Sequence, residues 1–210
     1  MRDRAVIALI VVGFVVGTVG HLVPTTLPFM LRVTPAVLFI MGGIVFVPLL
    51  LEERRAAFWL WCAGVYVTTF SLEAVGVAYG FVFGPYTYGA TLGPALWGVP
   101  LVIGLNWLLV ILGSIGLVTR WVRRPLLYVP LVGAVAFVFD YVMEPVALAL
   151  DYWQWQAPGV PVQNYVAWFL VASVVALIYG ALRLDIESRV PQTYMLVQLA
   201  FFLILRVALL

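Results

Sequence analysis

Long apolar runs separated by short polar segments dominate this chain. A run of roughly 17 to 25 residues is long enough for a helix to cross a hydrocarbon core about 30 Å thick. Seven such runs are present, at about 5–23, 33–51, 56–81, 99–118, 126–150, 164–183 and 194–210. The pattern predicts an all-α fold, a polytopic membrane helical bundle of about seven transmembrane helices, with 1–210 forming a single integral membrane domain.

Composition agrees with this prediction. Of the 210 residues, 65% are hydrophobic and 10% are charged, and the mean hydropathy of +1.15 lies far outside the range of soluble proteins. The chain begins MRDR, as a signal peptide does, but the apolar run that follows is long and lacks an A-x-A site. We therefore expect a retained first helix.

Arginine placement predicts the orientation of the bundle, because basic residues near helix ends favour the cytoplasm. With a cytoplasmic N-terminus, two arginines, Arg32 and Arg206, lie on the outer side and nine lie at inner helix ends. The nine are Arg2, Arg4, Arg54, Arg55, Arg120, Arg123, Arg124, Arg183 and Arg189. The loops 82–98 and 151–163, which contain no Arg or Lys, then face the exterior. The net charge of +2 reflects this topology and indicates no nucleic-acid surface.

The two outer loops are rich in glycine, proline and aromatic residues, a composition typical of irregular segments packed over a bundle. Both contain Gly-Val-Pro, at 98–100 and 159–161, and after six intervening residues each motif is followed by a tryptophan, Trp107 or Trp168. We predict a parallel internal repeat of 56–118 and 126–183, related by an axis along the membrane normal. The alternative is a chance recurrence in a chain rich in Val and Gly.

Three acids lie in apolar segments on the predicted outer side: Glu73, Asp140 and Glu144. A charged carboxylate at bilayer depth costs about 2.5 to 3.5 kcal/mol to insert. Asp140 and Glu144 are four residues apart, so they share one helix face, and repulsion between them favours a protonated form of one. A neutral carboxylic acid in an apolar pocket is an available proton donor. The structural alternative is that these acids join helices through Tyr, Asn or Arg partners.

The position of Pro145, directly after Glu144, also has a purely structural explanation. A proline inside a helix removes one N–H and frees a carbonyl group. In an apolar environment that carbonyl needs a Ser, Tyr or water partner.

Composition excludes several other chemistries. All 11 basic residues are arginine, so no lysine can form a Schiff base with retinal. His21 and Cys62 each stand alone, so the sequence predicts no metal site and no disulfide. Of the chemistries considered, the sequence leaves acid catalysis in an apolar cavity lined by aromatic residues.

Two motifs resemble a known family. FGPYTYGATLGPALWGVPL (83–101) resembles the signature Phe-Gly-x-Tyr-x-Tyr, then Leu-Gly, then Val-Pro. FDYVMEPVALALDYWQWQ (139–156) with GVPVQNYVAWF (159–169) resembles Asp, (Asp/Glu)-Pro, Trp-x-Trp, Pro, Asn-Tyr and Trp-Phe of the integral-membrane carotenoid biosynthesis proteins. These include bisanhydrobacterioruberin hydratases and bacterial gamma-carotene hydratases. The resemblance covers about 70–170, and Glu144 stands where many members have Asp, which is closer to the bacterial monocyclic-carotenoid branch.

The resemblance implies a carotenoid hydratase in the cell membrane of a prokaryote. Such an enzyme adds water to the terminal double bond of an acyclic (psi) end group and leaves a tertiary hydroxyl, with no cofactor. Glu73, Asp140 and Glu144 are then the expected acid and base, in unassigned order. The residues expected to hold the substrate, its cation and the water are Tyr86, Tyr88, Asn106, Trp107, Trp153, Trp155, Asn164 and Trp168. The expected partners are a long polyene carotenoid, water, membrane lipid and other enzymes of the carotenoid pathway.

Two other functions fit the same residues. A carotenoid end-group cyclase begins with the same protonation but ends with loss of a proton, so its product keeps the mass of the substrate. A non-enzymatic carrier of lipids or ions would use the carboxylates as a proton relay. Mass spectrometry of the pigment separates these cases, because a hydratase product gains the mass of water.

Overall fold

The computed structural model describes residues 2–209, and within them it contains seven α-helices. The helices are α1 (Arg2–Leu22), α2 (Leu27–Glu52), α3 (Ala56–Tyr79), α4 (Val102–Val118), α5 (Pro125–Ala149), α6 (Val162–Ala181) and α7 (Val190–Leu209). These bounds lie close to the predicted runs, which confirms the predicted helical bundle. Met1, Leu210 and the side chain of Arg2, which the sequence-based prediction included, lie outside the described residues.

Four short strands accompany the helices, a feature that the all-α prediction did not contain. Among residues 2–209 they are β1 (Tyr86–Tyr88), β2 (Ala95–Leu96), β3 (Val99–Pro100) and β4 (Trp153–Trp155). The pair β2–β3 explains why α4 begins at Val102 and not at 99, since Val99 and Pro100 belong to the strand pair.

Helix α4 lies at the centre of the bundle. Thirteen of its 17 residues are buried, and it contacts α2, α3, α5, α6 and α7. A helix that is apolar on all sides is stable only when neighbours surround it. The other six helices of the described chain are long and apolar enough to cross a membrane. Their outer faces carry large apolar side chains such as Leu126, which is 92% exposed.

The two loops that follow α3 and α5 lie at one end of the bundle and pair with each other. Strands β1 and β4 form an antiparallel ribbon, with Tyr86 opposite Trp155, Thr87 opposite Gln154 and Tyr88 opposite Trp153. The backbone N–H of Gly89 extends this ladder by donating to Tyr152 O at 2.9 Å. At the opposite end, Arg55 Nη2 donates to Asp185 O at 2.7 Å. The loops predicted to be outer and those predicted to be inner therefore lie at opposite ends, while the cytoplasmic N-terminus stays a prediction.

The ribbon takes one strand from each half of the predicted repeat. Glu73 lies 13 residues before Tyr86 (86 − 73), and Asp140 lies 13 residues before Trp153 (153 − 140). The two strands therefore occupy equivalent positions in the two halves. When equivalent strands pair antiparallel, a two-fold axis between them relates one to the other, as the predicted repeat requires. The parallel repeat of 56–118 and 126–183 stays a prediction, and this pairing supports it.

The carbonyl freed by Pro145 has a partner that the sequence analysis did not foresee. The ring of Pro145 leaves Tyr141 O without its intrahelical donor, and Arg206 Nη1 on α7 donates to that oxygen at 2.8 Å. The Arg206 guanidinium also lies 4.9 Å from the centroid of the Tyr141 ring. An arginine thus takes the place of the expected Ser, Tyr or water, and it joins α7 to α5.

We predict that Arg206→Met destabilises the protein, because it leaves Tyr141 O without a donor on an apolar surface. The expected loss is about 1 to 3 kcal/mol in the free energy of unfolding, measured by denaturant unfolding in detergent micelles. In a Pro145→Ala background the residue at 145 regains its N–H and can bond Tyr141 O, so the same substitution should cost less than half as much. Equal losses in both backgrounds would contradict the assignment.

Candidate active site

Three buried acids project into one small cavity beneath the ribbon. Glu73 on α3 is 5% exposed, and Asp140 and Glu144 on α5 are 0% and 1% exposed. Asp140 and Glu144 lie one helical turn apart, and all three residues line a cavity of about 30 Å³. This volume is enough for a water molecule.

Glu73 accepts hydrogen bonds from three side chains. Tyr86 Oη and Tyr88 Oη both donate to Glu73 Oε2, the second at 2.8 Å. Trp107 Nε1, on α4, donates to Glu73 Oε1 at 2.7 Å. Both oxygens of this carboxyl group are therefore supplied with donors.

Glu144 accepts a similar set of hydrogen bonds. Trp153 Nε1 and Trp155 Nε1 donate to Glu144 Oε2 at 3.1 Å and 3.0 Å. Asn164 Nδ2, on α6, donates to Glu144 Oε1 at 3.2 Å. The donors of Glu144 thus come from β4 and α6, as those of Glu73 come from β1 and α4.

Asp140 accepts fewer hydrogen bonds than the other two acids. Asn164 Nδ2 donates to Asp140 Oδ2 at 2.6 Å, so this one amide nitrogen joins both acids of α5. Asp140 Oδ1 is buried and has no hydrogen-bond partner within the part of the chain that the structure describes. Asp140 is therefore the acid with a free oxygen at the cavity.

The alternation of side chains along a strand explains the Tyr-x-Tyr and Trp-x-Trp patterns. Residues two apart in a strand point to the same face. In β1 this places Tyr86 and Tyr88 towards Glu73 and leaves Thr87 exposed. In β4 it places Trp153 and Trp155 towards Glu144. The ribbon is thus a donor-bearing cover over the acids.

Aromatic rings form most of the remaining wall. Trp107 and Trp168 stack with ring centroids 3.6 Å apart and planes 17° apart. Across the ribbon, Tyr86 lies 5.0 Å from Trp155. Burial, followed by the nearby Glu73 carboxyl group, raises the pKa of Tyr86 and that of Tyr88 above their usual range. Both phenols therefore keep their protons and act as hydrogen-bond donors.

Comparison with known proteins identifies the family. The family model described as "Carotenoid biosynthesis protein" matches residues 32–210. This chain belongs to that family. The match confirms the resemblance found in the motifs and extends it beyond 70–170, through α7.

A hydratase from an archaeon is similar in sequence to this chain. Over 166 residues the chain is 34% identical to the bisanhydrobacterioruberin hydratase of Haloarcula japonica, an alignment that covers 74% of this chain and 56% of the relative. The chain therefore spans little more than half the length of that protein. No solved structure matches the chain significantly.

Every residue that the sequence analysis singled out for the site lines the same cavity in this family member. The acids Glu73, Asp140 and Glu144 are joined there by Tyr86, Tyr88, Asn106, Trp107, Trp153, Trp155, Asn164 and Trp168. The two asparagines differ, however. Asn164 donates to both acids of α5, whereas Asn106 Oδ1 accepts a hydrogen bond from Gln198 Nε2 on α7 at 2.9 Å. Asn106 Oδ1 thus faces α7, and the expectation that Asn106 holds the water or the polar end of an acid stays a prediction.

Three apolar residues of the cavity were not singled out: Phe83, Ile103 and Met143. Phe83 opens the Phe-Gly-x-Tyr-x-Tyr motif, so a signal for it was present. Ile103 and Met143 carry no such signal, because an apolar residue in an apolar helix is indistinguishable from its neighbours. Among the described residues, no three His, Cys, Asp or Glu side chains are grouped so that they could hold a metal ion.

We predict that Tyr88→Phe lowers the free energy of unfolding by about 1.5 to 3 kcal/mol, because it removes a hydrogen bond to a buried carboxyl group. The matched control is Thr87→Ala on the exposed face of the same strand, which should change stability by less than about 0.5 kcal/mol. Both values come from denaturant unfolding in detergent micelles. If the two variants lose the same stability, Tyr88 does not support Glu73.

Proposed function

We propose that this protein is a carotenoid hydratase that adds water to the terminal double bond of an acyclic carotenoid end group. One observation carries the proposal: of three buried acids that line one cavity, Asp140 alone has an oxygen without a donor among the described residues. Family membership supports the substrate class, and the name of the Haloarcula relative supports the reaction class.

The supply of hydrogen-bond donors distinguishes the roles of the acids. N–H and O–H donors stabilise a carboxylate anion. Glu73 and Glu144 each accept three such bonds, so both act as carboxylates. Asp140 accepts one bond, and its free oxygen is the position for a transferable proton. We assign Asp140 as the general acid.

The reaction then proceeds in two steps. The Asp140 O–H transfers its proton to the less substituted carbon of the terminal double bond, and the electron pair of that bond forms the new C–H bond. The neighbouring carbon becomes a tertiary carbocation. A water oxygen bonds to this carbon while the Glu144 carboxylate takes the proton that the water loses. Return of that proton to Asp140, which shares Asn164 with Glu144, resets the site, and no electron acceptor is required.

The walls of the cavity suit the charge that develops on the substrate. A cation over the face of a Trp or Tyr ring is stabilised by about 0.5 to 2 kcal/mol when water is excluded. The stacked Trp107 and Trp168 rings offer such a surface, and the Glu73 carboxylate adds a negative charge across the cavity. The protein's action in a prokaryotic cell membrane, among lipid and other carotenoid-pathway enzymes, is part of the same proposal.

We predict that Asp140→Asn lowers the rate of hydration by about 10²- to 10⁴-fold, the contribution typical of a positioned general acid. Asparagine keeps the size of the side chain and its bond to Asn164 but has no proton to give. Asp151→Asn is the matched control: Asp151 is exposed and its positive φ of 55° suits asparagine, so activity should stay within about two-fold. The measurement is chromatography with mass spectrometry of lycopene incubated with the purified proteins.

The same extracts distinguish the alternatives. A product heavier than the substrate by one water supports hydration. A product of unchanged mass would indicate a cyclase, and unaltered pigment with every variant and with the native chain would indicate a carrier. Full activity of Asp140→Asn would remove Asp140 from the role of acid.

We also predict the isotopic pattern of the product. Because Asp140 exchanges its proton with solvent between turnovers, reaction in heavy water should place one non-exchangeable deuterium on the carbon next to the new carbinol carbon. Tandem mass spectrometry or NMR of the product checks this position. A hydroxylation that uses oxygen would leave that carbon unlabelled.

A further inference from the structure

A second cavity adjoins the cavity that contains the acids. It has a volume of about 90 Å³, against about 30 Å³ for the acid cavity. Four residues line both spaces: Ile103, Asn106, Met143 and Trp153. The two cavities are therefore neighbours, and these four side chains lie between them.

The larger cavity is mainly apolar and reaches the first two helices. Its far wall includes Gly13 and Gly17 of α1 and Met30 and Met41 of α2. A Cβ atom added at Gly13 would meet the side chain of Met41. Methionine is unbranched and adapts its shape readily, so these side chains can move aside where α1 and α2 face the bilayer.

Polar side chains lie on the part of the wall that adjoins the acids. Asn106, which lines both cavities, accepts a hydrogen bond from Gln198 Nε2. Gln198 Oε1 is buried and has no donor among the described residues. His21 and Thr34 also line the larger cavity, on α1 and α2. An apolar chain whose tip gains a hydroxyl would place that tip beside Asn106, next to the acids.

We propose that this space, which we call the end-group cavity, binds the acyclic isoprenoid end of a long polyene that arrives from the bilayer between α1 and α2. The assignment rests on the proposed function. It explains how a substrate reaches acids that line the smaller of the two cavities. The terminal double bond lies at the four shared residues, and the rest of the end group fills the larger cavity.

A groove between α3 and α6 is the competing location for an apolar chain. It is an open groove with a volume of about 430 Å³, lined by residues such as Gly64, Val65 and Leu170. None of the residues that line it also lines the acid cavity. A polyene in this groove would lack direct access to Asp140, so the end-group cavity is favoured.

Three glycines allow a matched test, because the same substitution to leucine fills a different space at each. Gly17→Leu projects into the end-group cavity, where an added Cβ would meet only Phe201 Cε2 at 4.0 Å. Gly64→Leu projects into the α3–α6 groove, and Gly43→Leu lies on the exposed face of α2. At Gly43 and Gly64 an added Cβ would meet nothing within 4 Å.

Binding of lycopene, an acyclic polyene, is measured by quenching of tryptophan fluorescence in the purified full chain. We expect Gly17→Leu to weaken binding by about ten-fold or more, and Gly43→Leu and Gly64→Leu to stay within about two-fold. Unchanged binding by a folded Gly17→Leu variant, or weakened binding by Gly64→Leu alone, would overturn the inference. The fold of each variant is checked by its thermal unfolding midpoint.

A second measurement needs no variant and separates this inference from the proposed function. Photolabelling of the native chain with an isoprenoid that carries a diazirine several carbons inward from its unsaturated end should modify peptides from 2–52 and 190–209, which line the larger cavity. Labelling confined to α3 and α6 would overturn the inference. Labelling of the expected peptides by a protein that never hydrates lycopene would leave the binding site intact and refute the hydratase proposal.

Discussion

Three carboxyl groups buried in a membrane bundle need hydrogen-bond donors, and this need organises one whole end of the molecule. The backbone N–H groups of α3 and α5 are occupied within their own helices, and a bilayer offers no water. The donors therefore come from side chains, mostly Tyr and Trp, which combine an apolar ring with one polar hydrogen. The loops that carry them fold onto the bundle, which explains why segments that could meet water contain so little charge.

Two short paired strands are enough to place those donors at the acids. Because alternate side chains share a face, each three-residue strand presents two donors to one acid and one residue to the outside. Pairing β1 with β4 then fixes the two halves of the protein against each other, so Glu73 and Glu144 face the same cavity. Asp140 sits in this arrangement with fewer donors than its neighbours. In the proposed reaction, the scarcity of donors that destabilises Asp140 as a carboxylate would suit it to donate a proton.

The sequence predicted the helices well, because the length of an apolar run is set by the thickness of the bilayer and by little else. Acids in apolar segments and two motifs also singled out residues that the structure brings to one cavity, and the roles of these residues stay a prediction. The sequence could not predict the ribbon, since three residues are too few to show a strand period. Nor could it separate Asn106 from Asn164 or pair Arg206 with the carbonyl freed by Pro145, because such partners lie far apart in sequence.

The size of the acid cavity bears on the outcome of the proposed chemistry. Protonation of a terminal double bond gives the same tertiary cation in a hydratase and in a cyclase. A cyclase must let the substrate's own chain fold back onto that cation, which requires a wide and dry space. In the proposed reaction the acid cavity, of about 30 Å³, has room for a water beside Asp140 and Glu144. The tip of the chain would enter from the larger cavity, so such a water would meet the cation on the side of the acids, away from the rest of the chain, and this arrangement would favour hydration over ring closure.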